Sequence, residues 1–177
     1  MHRLFVAIRP PEPIRDLLVD AMDDRPELRW VPDDNLHLTL RFIGEVERPL
    51  AEDLATALRG VRFPAFSLQI AGVGQFAQRH GGALWAAVSP RDDVTALAAK
   101  VERACQQAGL VPERRAFHPH ITLARWGRRS SAAVQSSLER NRALASEPFR
   151  VGSFTLFESR LSRHGALYEA VEDYPLT

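Results

Sequence analysis

A chain of 177 residues, 45% hydrophobic and 25% charged, carries enough apolar material for one compact core. Its formal net charge of +1 excludes a bulk polyelectrolyte binder with a basic tail. Its lone cysteine, Cys105, excludes an internal disulfide framework and a cysteine-based zinc cluster.

RLFVAI at 3–8 reads as a strand. Its apolar run of five residues before Arg9 is too short for a signal peptide or a membrane span, so the expected location is the cytoplasm, with no membrane partner. Beyond the prolines, Ile14, Leu17, Leu18, Ala21 and Met22 have the spacing of an amphipathic helix. WVPDDNLHLTLRFIG at 30–44 contains a strand with His37, and Leu50, Leu54 and Leu58 mark a second helix. FPAFSLQIAG at 63–72 alternates as a strand, and GQFAQRHGG at 74–82 reads as a glycine-containing hairpin loop.

The series then repeats. ALWAAV at 83–88 is a strand ending in Ser89-Pro90. Val94, Leu97, Ala98, Val101, Ala104, Cys105 and Ala108 mark a helix, with Cys105 on its apolar face as a structural thiol. VPERRAFHPHITLARWG at 111–127 contains a strand with His120, and Val134 and Leu138 mark a weaker helix. PFRVGSFTLF at 148–157 is a closing strand, ESRLSRHGA at 158–166 a second hairpin loop, and LYEAVED near 167–173 an extra strand. The last would complete the second sheet and could cross to the first.

The chain therefore reads as one domain, 1–177, built by internal duplication with approximate halves 1–80 and 81–177. Equivalent surfaces are self-complementary, so the halves should pack with approximate two-fold symmetry. The expected fold is α+β: two pseudo-symmetric lobes, each a mainly antiparallel sheet with outer helices, and a groove between the sheets. Such internal symmetry makes a monomer self-sufficient, with no obligate protein partner.

What recurs includes polar positions. HLTLRFIG at 37–44 and HITLARWG at 120–127 share a histidine, a threonine and a glycine in register. Strand alternation puts His37 with Thr39, and His120 with Thr122, on one face, while Leu38, Leu40, Ile121 and Leu123 enter the core. A purely structural repeat needs only the apolar residues to recur. Two imidazoles facing a common space suit displacement at phosphorus: one takes a proton from the attacking oxygen, the other gives one to the departing oxygen. Threonine hydroxyls would hold charge on the non-bridging oxygens, and no metal or cofactor is required.

The paired His-x-Thr phrases resemble the two-histidine (2H) phosphoesterase superfamily, specifically the LigT-like RNA 2′,3′-cyclic phosphodiesterases, historically 2′-5′ RNA ligases. HLTLRFIGEV and HPHITLAR carry the two motifs, and RLFVAI and LFESRLSRHGALYEAV extend the likeness over nearly the whole chain. The resemblance implies His37 as proton donor to the leaving 3′ oxygen and His120 as the base activating water, giving a 2′-phosphate. It implies Thr39, Thr122 and Arg125 as phosphate ligands and RNA termini or cyclic nucleotides as partners. The two halves are too alike for sequence chemistry alone to rank the histidines as donor and acceptor.

Several positions keep two readings. Strict alternation turns Arg125 away from His120, so a bulge, the strand's end or a long reach must redirect it. Phe42 holds the equivalent place in the first repeat, where it could stack on a base or pack in the core. Arg41 falls on the histidine face by parity, as an RNA-backbone contact or a solvated rim residue, with Ala124 as its counterpart. Arg114, Arg115, Arg128, Arg129, Arg160 and Arg163 would steer RNA if they gather on one side. His118 with His120 forms an H-x-H pair that lacks a compatible set of further zinc ligands. His2, His80 and His164 receive no catalytic role. Two alternatives remain: reversible ATP-independent 2′-5′ ligation, and a nucleotide- or RNA-binding module without turnover.

Overall fold

The computed structural model describes residues 1–128 and 131–177. Strand β1 (His2–Ile8) leads through two prolines into helix α1 (Glu12–Asp20), whose first turn takes Pro13 because that N–H has no helical partner to lose. Next come β2 (Arg29–Trp30), a 3-10 turn (Asp33–Asn35), β3 (Leu38–Val46) and helix α2 (Arg48–Leu58), which buries Leu54 and Leu58. Strands β4 (Phe66–Gln78) and β5 (Gly81–Ser89) precede helix α3 (Asp92–Gln107). The chain ends with β6 (His120–Trp126), helix α4 (Ser131–Arg140), β7 (Phe149–Val151), β8 (Ser153–Ser162) and β9 (Gly165–Pro175). Every predicted helix is present. No helix among the described residues is long and apolar enough to cross a membrane.

Three boundaries differ from the sequence reading. The stretch 74–78 continues β4, leaving Arg79-His80 as the turn to β5. Likewise 158–162 continues β8, leaving Arg163-His164 as the turn to β9. The strand expected over 148–157 divides at Gly152 into β7 and β8.

The architecture is α+β, a curled antiparallel half-barrel sheet with four helices. Where two sheets were expected, the described strands form one path in the order β7-β4-β5-β6-β3-β1-β8-β9, with β2 beside β6. Strand β4 pairs with β5 across the middle of the chain, while β8 pairs with β1. Each half thus lends its closing strand to the other. The extra strand β9 lies beside β8 at the sheet's edge. The largest apolar cluster packs α1, α2 and α3 against the sheet through Leu18, Leu54, Leu97 and Val101, all 0% exposed. A smaller one seats α4 on Leu84, Ala124 and Trp126. Cys105 is buried, and burial pushes its thiol up to about 12, which leaves it protonated and inert at neutral pH.

The motif strands share one irregularity. Against β1, the pairing of β3 jumps from Thr39 to Arg41, so Leu40 is an extra residue. Against β5, the pairing of β6 jumps from Thr122 to Ala124, so Leu123 is extra. Each bulge reverses the alternation beyond it. Leu40 and Arg41 both turn inward, as do Leu123 and Ala124, while Phe42 and Arg125 turn outward. Arg41 is consequently 9% exposed, its Nε donating to Glu102 of α3 at 2.6 Å.

Breaking a buried pair by removing one partner strands a charge, so Arg41→Met should cost about 3 kcal/mol in urea denaturation. Arg41→Met with Glu102→Leu should cost less than the single change. A single-mutant loss below about 1 kcal/mol would show that the pair is solvated in effect.

Candidate active site

His37 immediately precedes β3, and His120 opens β6. Both rings are held in the same way. His37 Nδ1 donates to the carbonyl of Asn35 at 2.7 Å, and His120 Nδ1 donates to the carbonyl of His118 at 2.6 Å. A carbonyl can only accept, so Nδ1 carries hydrogen in both rings and Nε2 is left for chemistry.

Strands β3 and β6 meet at one register pair, Leu38 with Ile121. Continuing the antiparallel register one step each way sets His37 opposite Thr122 and Thr39 opposite His120. On that register the two histidines stand diagonally across the pair, where neighbours in a sheet lie roughly 7–8 Å apart at the backbone. The two histidines and two threonines are all half-buried.

Two cavities flank these residues. One of about 820 Å³ takes in His37, Phe5, Tyr168 and Arg125. The other, about 490 Å³, takes in His120, His118, Phe76 and Phe117. Thr39 and Phe42 line both, whereas Thr122 lies outside the walls of either. Aromatic rings brace each imidazole. Phe5 is 4.9 Å from His37 and Tyr168 meets it edge-on at 5.4 Å. Phe76 meets His120 edge-on at 5.0 Å, with Trp85 at 6.0 Å.

Arg125 lies with the histidines because of the bulge at Leu123, and it has no ion pair among the described residues. Phe42 is 44% exposed between the two cavities, with the Arg3 guanidinium 5.6 Å from its ring. It is not a core residue. Parity does not hold for Arg41: the bulge at Leu40 turns it inward, where it donates to Glu102 and to the carbonyls of Phe42 and Val111. Nε, Nη1 and Nη2 each donate inside the protein, so Arg41 serves the framework behind the site.

The loop arginines do not gather on one side. Arg160 borders the His37 cavity and pairs with Glu169 at 3.3 Å, while Arg115 borders the His120 cavity and pairs with Glu113 at 3.4 Å. Arg128 donates to His80 at 3.0 Å; Arg114 and Arg163 are exposed; Arg129 lies outside the described residues. Sequence reasoning missed the aromatic braces and Asn35. The matched places of Phe5 in RLFVAI and Trp85 in ALWAAV were the available signal.

The family model of the 2′-5′ RNA ligase superfamily matches residues 10–163. An RNA 2′,3′-cyclic phosphodiesterase of Aeropyrum pernix is 33% identical over 147 residues, covering 81% of this chain and 84% of that protein. The Escherichia coli protein of the same name is 30% identical over 180 aligned positions, covering 99% and 97%. The crystal structure of E. coli LigT complexed with 3′-AMP superposes with a TM-score of 0.78 at 29% identity, covering 99% of this chain and 98% of that one.

Both imidazoles hold a proton less tightly than an ordinary histidine. For His37, burial is the main cause; the Asn35 carbonyl opposes it, and the positive charges of Arg125 and His120 add to it. For His120, burial again leads, the His118 carbonyl opposes, and His118 and Arg125 add to the depression. The free rings are therefore mainly neutral at pH 7, and an anion between them should restore the charged form. Sulfate does not titrate in this range. In an NMR titration, saturating sulfate should raise the titration midpoint of at least one ring. Unmoved midpoints with sulfate bound would place the anion elsewhere.

Proposed function

The chain belongs to the 2′-5′ RNA ligase superfamily, and we propose that it is an RNA 2′,3′-cyclic phosphodiesterase working by two-histidine acid–base catalysis without a metal. The observation that carries this reading is that the Leu38–Ile121 pair brings together two imidazoles, each presenting Nε2, beside an Arg125 with no ion pair among the described residues.

On this reading the cyclic phosphate lies between the rings. His120 Nε2 removes a proton from water as the water oxygen attacks phosphorus. The bond from phosphorus to the 3′ oxygen breaks, and protonated His37 gives its Nε2 proton to that oxygen, leaving a 2′-phosphate and a free 3′-hydroxyl. The donor and acceptor labels follow from the family likeness. Thr39 and Thr122 donate to non-bridging oxygens, and Arg125 holds the charge that builds there. Burial makes both bare rings poor proton holders, so the substrate's own anion charges His37 as it binds. Phe42, exposed at the junction of the cavities, suits stacking on the terminal base.

We further read the chain as one domain duplicated over 1–80 and 81–177, its two lobes lining a groove that the paired cavities occupy. The exchange of closing strands supports this. The second cavity, beside His120, also supports ligation as a runner-up, since a 5′-hydroxyl could take the place of water there.

His37→Ala and His120→Ala should each lower turnover of a 2′,3′-cyclic nucleotide at least ~10²-fold, with smaller losses for Thr39→Ala and Thr122→Ala. Near-wild-type turnover in either histidine variant removes that residue from the mechanism. The rate should be bell-shaped in pH and survive EDTA, with a 2′-phosphate as product. Binding without product would instead mark a non-catalytic module, and joined ends with a 5′-hydroxyl RNA would mark a ligase.

A further inference from the structure

Nothing in the motifs explains what fixes the two carbonyls that orient the imidazoles. We propose that Asn35 and His118, each two residues before a site histidine, are positioning residues that tie ring orientation to the hairpin walling the adjacent cavity. The inference rests on the two-histidine reading for its consequences in turnover.

Asn35 ends the 3-10 turn, with its N–H bonded to the Pro32 carbonyl at 2.9 Å. Its own carbonyl accepts from His37, and its side-chain Nδ2 donates to the Ala166 carbonyl of β9 at 2.9 Å. Ala166 pairs with Leu161 in the β8–β9 hairpin, and both border the His37 cavity. The same hairpin supplies Tyr168, which meets His37 edge-on. One residue thus links the hairpin wall to the ring through its side chain and its main chain.

His118 does the same in the second half with different chemistry. Its carbonyl accepts from His120, while its ring packs edge-on to Phe76 of β4 at 5.2 Å and Trp85 of β5 at 5.0 Å. Phe76 borders the His120 cavity and touches His120 itself. His118 is exposed, so core packing does not account for its placement. An amide in one half and an imidazole in the other reach equivalent hairpins from equivalent positions. A substrate that presses on either hairpin therefore bears on the Nδ1 bond that sets the ring.

The test is imidazole ¹⁵N NMR on the whole chain, with kinetics alongside. The wild type should show the Nδ1–H form for both neutral rings. Asn35→Ala should turn His37 into a mixture of tautomers and leave His120 unchanged; His118→Ala should do the reverse. Each should lower kcat about tenfold with KM changed less than about threefold. Asn35→Asp keeps the size but cannot donate to Ala166, so it should match Asn35→Ala, and it serves if the alanine variant does not fold. His118→Phe keeps the packing and should restore the His120 signature. Intact Nδ1–H signatures in both alanine variants, or equal disturbance of both rings by either one, would overturn the proposal. The signature is read without turnover, so its failure is separate from a failure of the catalytic reading.

Discussion

The pair of Leu38 with Ile121 is what places two histidines in one site. It is the only register pair between β3 and β6, and it falls next to both His37 and His120. Both apolar partners are essentially sealed, at 1% and 0% exposed. The distance between the imidazoles is thus set by main-chain spacing and a packed core rather than by flexible side chains. Beyond this pair β6 is taken up by β2, through Trp30 with Ala124 and Arg29 with Arg125.

The bulges decide what joins the histidines. In an unbroken strand Arg125 and Phe42 would enter the core, and Arg41 and Ala124 would share the face of the histidines. One extra leucine in each strand exchanges them. The cost is two consecutive inward residues, and the two halves meet it differently. Behind β6 the inward Ala124 is small enough to lie beneath α4 with Leu84 and Trp126. Behind β3 the inward residue is a guanidinium, tolerated because Glu102 and two carbonyls satisfy it. Through the Val111 carbonyl, Arg41 also anchors the beginning of the segment that ends in His118 and His120. A residue that parity places on the histidine face instead supports the framework behind the site.

The helices and motif strands were readable because apolar spacing has different periods in the two element types. The hairpin arms were not, because glycine was taken as a turn signal. Gly74 serves packing: a Cβ there would strike the six-membered ring of Trp85, and one at Gly82 would strike Trp126. A single sequence does not reveal whether a glycine is needed for its backbone freedom or for the space it leaves. The inward turn of Arg41 was hidden for a related reason, since nothing in Leu-Arg-Phe announces a bulge. At Arg125 the role implied by the family likeness conflicts with strict alternation, and that conflict points to a bulge. Arg41 carries no such conflict, although its strand has the same bulge.

Near-symmetry of backbone with asymmetry of surroundings is what two-role catalysis needs. Identical Nδ1 bonds give both rings the same reactive nitrogen, so their difference must come from what lies around them. His37 shares its cavity with Arg125, braced by Phe5 and Tyr168; His120 has an apolar cavity and a neighbouring imidazole, His118. On the proposed reading, a phosphate held by Arg125 would lie on the His37 side. Its charge would offset the Arg125 repulsion that depresses His37, while burial and the neighbouring His118 ring still depress His120. On this argument the substrate assigns the roles as it binds. It would leave His37 the acid and His120 the base, the same order that the family likeness implies.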